Sequence, residues 1–216
     1  MATSNTTNFD LNVDDLIEES YERCGMRMTS GYQLNSARRS LNLLFLDWAN
    51  RGLNLWTIEQ ATISLTASTT SYNLGTDIVN VLTAVINDTN DIAMDRISRA
   101  EYLNLPNKST EARPAQYYVE RTNVPKVFLY PTPDKAYIFK YYRIRRIQDP
   151  GNYTNTLDVN FRFLPCLSAG LAYYLSLKFA PDRTAVLKTL YEEEFARAAA
   201  EDRDTASVSF VPQVGA

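Results

Sequence analysis

Residues 36–60, SARRSLNLLFLDWANRGLNLWTIEQ, restrict the folding options of this chain more than any other stretch. Leu34, Ala37, Leu41, Leu44, Phe45 and Trp48 recur at spacings of three, four, three, one and three, which puts them on one stripe of a helix. Arg38, Arg39, Asn42, Asp47 and Asn50 fall largely off that stripe. Gly52 follows the last periodic turn, where a left-handed C-terminal cap is commonly placed. From Leu55, Trp56 and Ile58 onward the composition turns β-like. The stretch therefore reads as a long core helix, its stop signal and a switch into a sheet, with Leu41, Leu44, Phe45, Trp48 and Trp56 as core residues.

On either side the same kind of signal continues. Asn12 is placed to cap a first helix over 13–24, with Val13, Leu16, Ile17, Tyr21 and Cys24 inward and Gly25 as its end. Asp14 and Asp15 sit in its first turn, where the helix dipole favours acids, and Glu18, Glu19 and Glu22 extend a solvated acidic face. Ser30 and Gln33 have capping-box spacing at the start of the second helix. Between Trp56 and Arg146, β-branched residues and tyrosines alternate with Asn, Asp, Gly and Pro. Strands are expected at 56–65, 71–74, 78–86, 116–121, 126–130 and 137–145. Ser98 and Glu101, a second capping-box pair, start a short helix at 98–103.

After a polar loop at 148–156, Leu164, Leu167, Leu171 and Leu175 mark a helix over 160–179. Its neighbours Ser168, Ala169, Gly170 and Ala172 are small enough for close helix packing, and Pro165 predicts an irregular first turn. Pro181 ends that helix and opens the last one, 182–204, which carries Val186, Leu187, Leu190, Tyr191 and Phe195. The predicted fold class is α+β: a four-helix bundle of two N-terminal and two C-terminal helices with an inserted small antiparallel β domain. The divisions are an N-terminal arm (1–11), the bundle (12–55 and 157–204), the β-rich insertion (56–156) and an extended C-terminal tail (205–216). Val208, Phe210 and Val211 make that uncharged tail apolar, so it is expected to need a partner.

Composition narrows the chemistry. The chain has no histidine, which removes the commonest general base and metal ligand. Its two cysteines, Cys24 and Cys166, are far apart and read as reduced and buried. The seven glycines form neither a GxGxxG nor a Walker pattern. No cofactor, metal or catalytic residue is therefore predicted. A net charge of −3 argues against a chain that binds nucleic acid through its overall field. No apolar run is long enough for a membrane span, and the polar start MATSNTTNFD does not resemble a secretory signal.

Three clusters invite sharper readings. Residues 113–146 hold Arg113, Arg121, Lys126, Lys135, Lys140, Arg143, Arg145 and Arg146 against Glu120 and Asp134, with tyrosines interleaved. Arg143, Arg145 and Arg146 could meet nucleic acid there; the alternative is a sheet with packed tyrosines and a basic edge, or a protein interface. Glu192, Glu193 and Glu194 point in different directions on a helix and fit the surface pairs Lys188–Glu192 and Glu193–Arg197. A wall-degrading virion enzyme, a rival reading, would use two carboxylates such as Glu59 and Asp77.

The run Ala37-Arg38-Arg39-Ser40-Leu41, followed by Asp47-Trp48-Ala49-Asn50-Arg51-Gly52-Leu53-Asn54-Leu55-Trp56, resembles the head-to-tail adaptors of short-tailed bacteriophages, also called tail tubular protein A, portal-bound connectors or tail accessory factors. Asp15-Leu16-Ile17-Glu18-Glu19-Ser20-Tyr21-Glu22-Arg23-Cys24-Gly25, Arg96-Ile97-Ser98-Arg99-Ala100-Glu101-Tyr102-Leu103, Pro131-Thr132-Pro133 and Gly170-Leu171-Ala172-Tyr173-Tyr174-Leu175 add to it in order. The resemblance spans about residues 12–204. It implies a non-enzymatic virion protein at the neck or tail, assembled in the host cytoplasm. It further implies a closed dodecameric ring below the portal protein, with tail nozzle, tube or fibre proteins on the other side. DNA would pass through the channel without sequence-specific binding, no membrane would be involved, and Val208, Phe210 and Val211 would reach the portal. The alternatives are a nucleic-acid-binding module using 113–146 and another neck or head-completion protein of a tailed phage.

Overall fold

A computed structural model describes residues 5, 9, 11–51, 55–152 and 154–202. Gly52, Val208, Phe210 and Val211 lie outside these residues. In chain order the elements are α1 (Val13–Arg23), α2 (Gly31–Arg51), β1 (Ile58–Leu65), β2 (Ser71–Asn73), β3 (Ile78–Asn87), β4 (Asp91–Ala93), β5 (Asp95–Arg96), α3 (Arg99–Asn104), β6 (Gln116–Glu120), β7 (Lys126–Tyr130), β8 (Tyr137–Arg145), α4 (Leu164–Phe179) and α5 (Thr184–Glu201). The class is α+β. The chain divides into two compact units: residues 1–55 with 148–216, and residues 56–147.

In the helical unit, the helix ends follow from local chemistry. Asn12 Oδ1 accepts from Asp15 N at 2.8 Å and starts α1. Gly25 ends it at φ +73°, with its own N–H on Glu22 O and the next N–H on Tyr21 O. This pattern needs a left-handed residue at that position. Ser30 and Gln33 exchange side-chain and backbone bonds at the start of α2. A 3-10 turn, Phe161–Phe163, precedes α4 and places Pro165 within its first turn, where a missing N–H breaks no ladder. A second 3-10 turn at Pro181–Arg183 leads into α5.

α4 packs against α1, α2 and α5. It buries residues on all sides: Leu167, Leu171 and Leu175, but also Ser168, Ala169, Gly170 and Ala172. Its middle, residues 166–172, is thus buried all round, while Pro165, Leu177 and Lys178 near its ends are exposed. Gly170 is the tightest point, since a Cβ there would lie 2.8 Å from Tyr191 Cε2 and 3.0 Å from Leu44 Cδ2. The Tyr191 hydroxyl is tied to Trp48, so the ring has little room to yield. Gly170→Ala is therefore expected to lower stability: overpacking costs of about 1–3 kcal/mol exceed the gain of about 1 kcal/mol in helix propensity. A urea midpoint equal to or above that of the parent protein would contradict this.

The second unit has two four-stranded sheets, ordered β1-β8-β3-β4 and β2-β7-β6-β5. Leu65, Ile86, Tyr117, Val127, Leu129 and Phe139 come from both and join one buried core. Along β8 the inward residues Tyr137, Phe139 and Tyr141 alternate with the exposed Ile138 and Tyr142, the two-residue period of a strand with one buried face.

Two sequence expectations are corrected in this unit. The sheets are not wholly antiparallel, because β5 runs parallel to β6. α3, capped by the Ser98–Glu101 box, lies between them in the chain and supplies the crossover that a parallel pair requires. Trp56 does not begin a strand and is not a core residue. It sits half-buried in a 3-10 turn, Leu55–Thr57, and the strand starts at Ile58.

Candidate functional site

The helical unit is fastened around Trp48. Its indole is fully buried, with Phe163, Phe195 and Phe45 ring centroids at 5.5, 6.0 and 6.3 Å. Nε1 donates to the Tyr191 hydroxyl at 2.9 Å. Leu41, Leu44 and Phe45 are buried beside it on α2. One turn on, Arg51 covers this cluster, 4.5 Å from the Phe195 centroid and 5.1 Å from that of Tyr191. It donates to Asp47 at 3.0 Å and to both carboxylate oxygens of Glu192 at 2.9 and 3.0 Å. A fork-on-fork pair of this kind links α2 to α5 with defined geometry. Glu194, not Glu193, pairs with Arg197.

The Arg51 hydrogen bonds hold the Glu192 carboxyl below the usual glutamate range. A carboxyl depressed in the folded state stabilises the protein above its unfolded value, and that contribution is lost as pH falls through the folded one. Acidification below about 4.3, the ordinary glutamate value, is therefore expected to lower the urea midpoint of the helical unit. Glu192→Gln is expected to flatten that part of the profile; an unchanged profile would remove Glu192 from the account.

Neither thiol is set up as a nucleophile. Burial pushes Cys166 up to about 12 and raises Cys24 as well, so both stay protonated near neutrality. Cys24 donates to Ala172 O at 3.2 Å. Among the described residues, no group of three or more acids and cysteines is placed to hold a metal ion, and no helix is long and apolar enough to cross a membrane.

In the second unit, acids from β1, β4 and the turns flanking β3 meet the basic residues of 113–146. Arg143, opposite Glu59 in the β1–β8 register, donates Nε to Glu59 at 2.8 Å and adds a second bond from Nη2. Its Nη1 reaches Asp77 at 3.1 Å. Arg145 also lies 3.4 Å from Glu59, while Arg146 is exposed. Lys135 pairs with Asp88 and Lys140 with Asp91, both at 2.9 Å. Glu59 and Asp77 are thus brought together across one guanidinium. Of the tyrosines, Tyr117, Tyr137 and Tyr141 are buried, and Tyr118 stacks on Tyr102 and Phe128.

The helical unit has two uncovered surfaces, of which the sequence singles out only the acidic residues of the second. On α2, the face opposite the buried stripe carries Tyr32, Leu43 and Leu46, at 68, 54 and 54 % exposure, with the exposed Arg39 between them. The positions 32, 39, 43 and 46 form a second helical stripe, a signal masked by the stronger one around Trp48. The other surface is a groove of about 640 Å³ between α1 and the start of α4. Its lining joins the apolar Leu11, Phe161 and Leu164 to the acidic Asp15, Glu18, Glu19 and Glu22, with Arg23 paired to Glu19 at 2.8 Å. Large solvent-exposed aliphatic and aromatic groups on a rigid helical frame are the marks of a docking surface.

The SU10 adaptor protein family matches the chain over residues 12–213. No curated protein sequence matches it.

Proposed function

Because the chain belongs to the SU10 adaptor protein family, a family of phage adaptor-type structural proteins, we propose that it forms an oligomeric ring that joins the capsid portal to the tail and extends the DNA channel. The family match makes the chain a virion component that interacts with other head or tail proteins. The observation that carries the finer assignment is the pair of uncovered surfaces on the helical unit, which a monomer in solution does not need. In this reading α1, α2, α4 and α5 form the ring-building bundle, and tail nozzle, tube or fibre proteins dock on the side of the ring away from the portal. The role is assembly, not catalysis. Copies held side by side on a portal gain a high effective concentration, so a contact too weak for free copies suffices there.

DNA is read here as cargo that slides past without sequence-specific binding. Pairing of Arg143 and Arg145 with Glu59 and Asp77 supports this, since paired guanidiniums offer less to phosphates than open ones. Purified protein is accordingly expected not to retain duplex or single-stranded DNA at low salt.

The deciding experiment is mass measurement and negative-stain imaging of the protein mixed with its portal protein. A closed ring stacked coaxially on the portal, a dodecamer, is the expected result. Protein that stays monomeric beside an intact portal would overturn the assignment. Removing residues 205–216 is expected to leave a folded protein that no longer attaches, with Val208, Phe210 and Val211 as the contacts; normal attachment would take that role from the tail.

A further inference from the structure

We infer that the ring closes by seating the outer face of α2 of one copy in the α1/α4 groove of the next, an inference that rests on the ring assignment above. The two surfaces complement each other in kind and in sign. The groove is lined by the apolar Leu11, Phe161 and Leu164 and by the carboxylates of Asp15, Glu18 and Glu22, and the arginine in its lining, Arg23, is paired with Glu19. The α2 face offers Leu43 and Leu46 with Arg39 one turn before them. At 1.5 Å per residue, Arg39 to Leu46 and Asp15 to Glu22 each span about 10 Å. A helix laid along the groove can therefore set both leucines against its apolar residues while Arg39 meets its carboxylates. An acidic lining repels nucleic acid and anionic lipid alike, which favours a protein occupant with a basic residue beside its apolar ones.

The groove and the α2 face are different surfaces of one copy, and α2 already packs its other face on α4. Contact between unlike surfaces is heterologous, and such contacts generate rings when the rotation closes. A self-complementary patch would instead stop at a dimer.

The test uses the full chain with its portal protein and reads assembly by mass. Arg39→Glu, and separately Glu18→Arg with Glu22→Arg, each place like charges across the contact and are expected to weaken ring formation about tenfold or more. An equimolar mixture of the two variants is expected to restore rings holding both in equal numbers, because alternation turns every junction into an attractive one. Misfolding cannot be rescued by mixing. As an independent readout, Leu46→Cys with Phe161→Cys is expected to give an oxidative ladder of copies on the portal; Cys24 and Cys166, buried and protonated, stay out of it. If the charge variants assemble like the parent, if mixing fails to restore rings, or if rings form without the ladder, this contact is wrong while the ring assignment stands. If the parent forms no ring, the ring assignment falls first.

Discussion

Replacing Trp48 by alanine is expected to cost the helical unit about 3–5 kcal/mol, the range for emptying a fully buried aromatic site. The size follows from what the indole touches. Its ring neighbours come from α2 itself, from the turn before α4 and from α5, so no single element can close the cavity by a local shift. The Tyr191 hydroxyl also loses its donor and keeps only the longer contact to Asp47 at 3.4 Å. Trp48→Phe separates the two effects: it retains most of the ring volume and exposes the lost hydrogen bond, at about 1–2 kcal/mol. Urea unfolding followed by far-ultraviolet circular dichroism measures both. A loss below about 1 kcal/mol for Trp48→Ala would mean that another group anchors the core.

Phe139→Ala is expected to have a comparable effect on the two-sheet unit, about 3–5 kcal/mol. Phe139 is fully buried on β8, stacked with Tyr141 at 5.2 Å and edge-on to Tyr117 at 6.0 Å. β8 pairs with β1 on one side and β3 on the other, so loosening it loosens the centre of its sheet. The control is Tyr142→Ala, three positions along and on the exposed face, where about 0.5 kcal/mol or less is expected. Hydrogen exchange of the β8 amides distinguishes them: Phe139→Ala should accelerate exchange along the strand, and equal protection in both variants would contradict the assignment.

Much of this architecture can be read from periodicity alone. The stripe through Leu41, Leu44, Phe45 and Trp48, the Asn12 cap, the Gly25 stop and both capping boxes are local features that the structure contains. β4 and β5, three and two residues long, are not among the strands that the sequence predicts. Nor is the parallel β5–β6 pair legible, which depends on where the chain returns after α3.

Electrostatic partners are the least legible of all. Arg143 looks unopposed when residues 113–146 are read as a window, yet Glu59 and Asp77 reach it from β1 and from the turn before β3. Spacing pairs Glu192 with Lys188, but Arg51 takes both its oxygens from across the unit. Docking surfaces are hidden for a related reason. Leu43 and Leu46 fall off the buried stripe by spacing, but only the packed helix shows that nothing among the described residues covers them.

The helical unit is assembled from both ends of the chain, and this sets an order of events during synthesis. α4, against which α1 and α2 bury their apolar sides, is translated after the whole of 56–147. At roughly 5–20 residues per second, α1 and α2 wait on the order of ten seconds for it. Without α4 and α5 the groove lacks one wall and α2 lacks its support, so a nascent chain has no complete surface with which to recruit a neighbour. If the ring closes as proposed, copies become competent to join one another only once α4 and α5 have left the ribosome, which keeps chains without them out of the assembly.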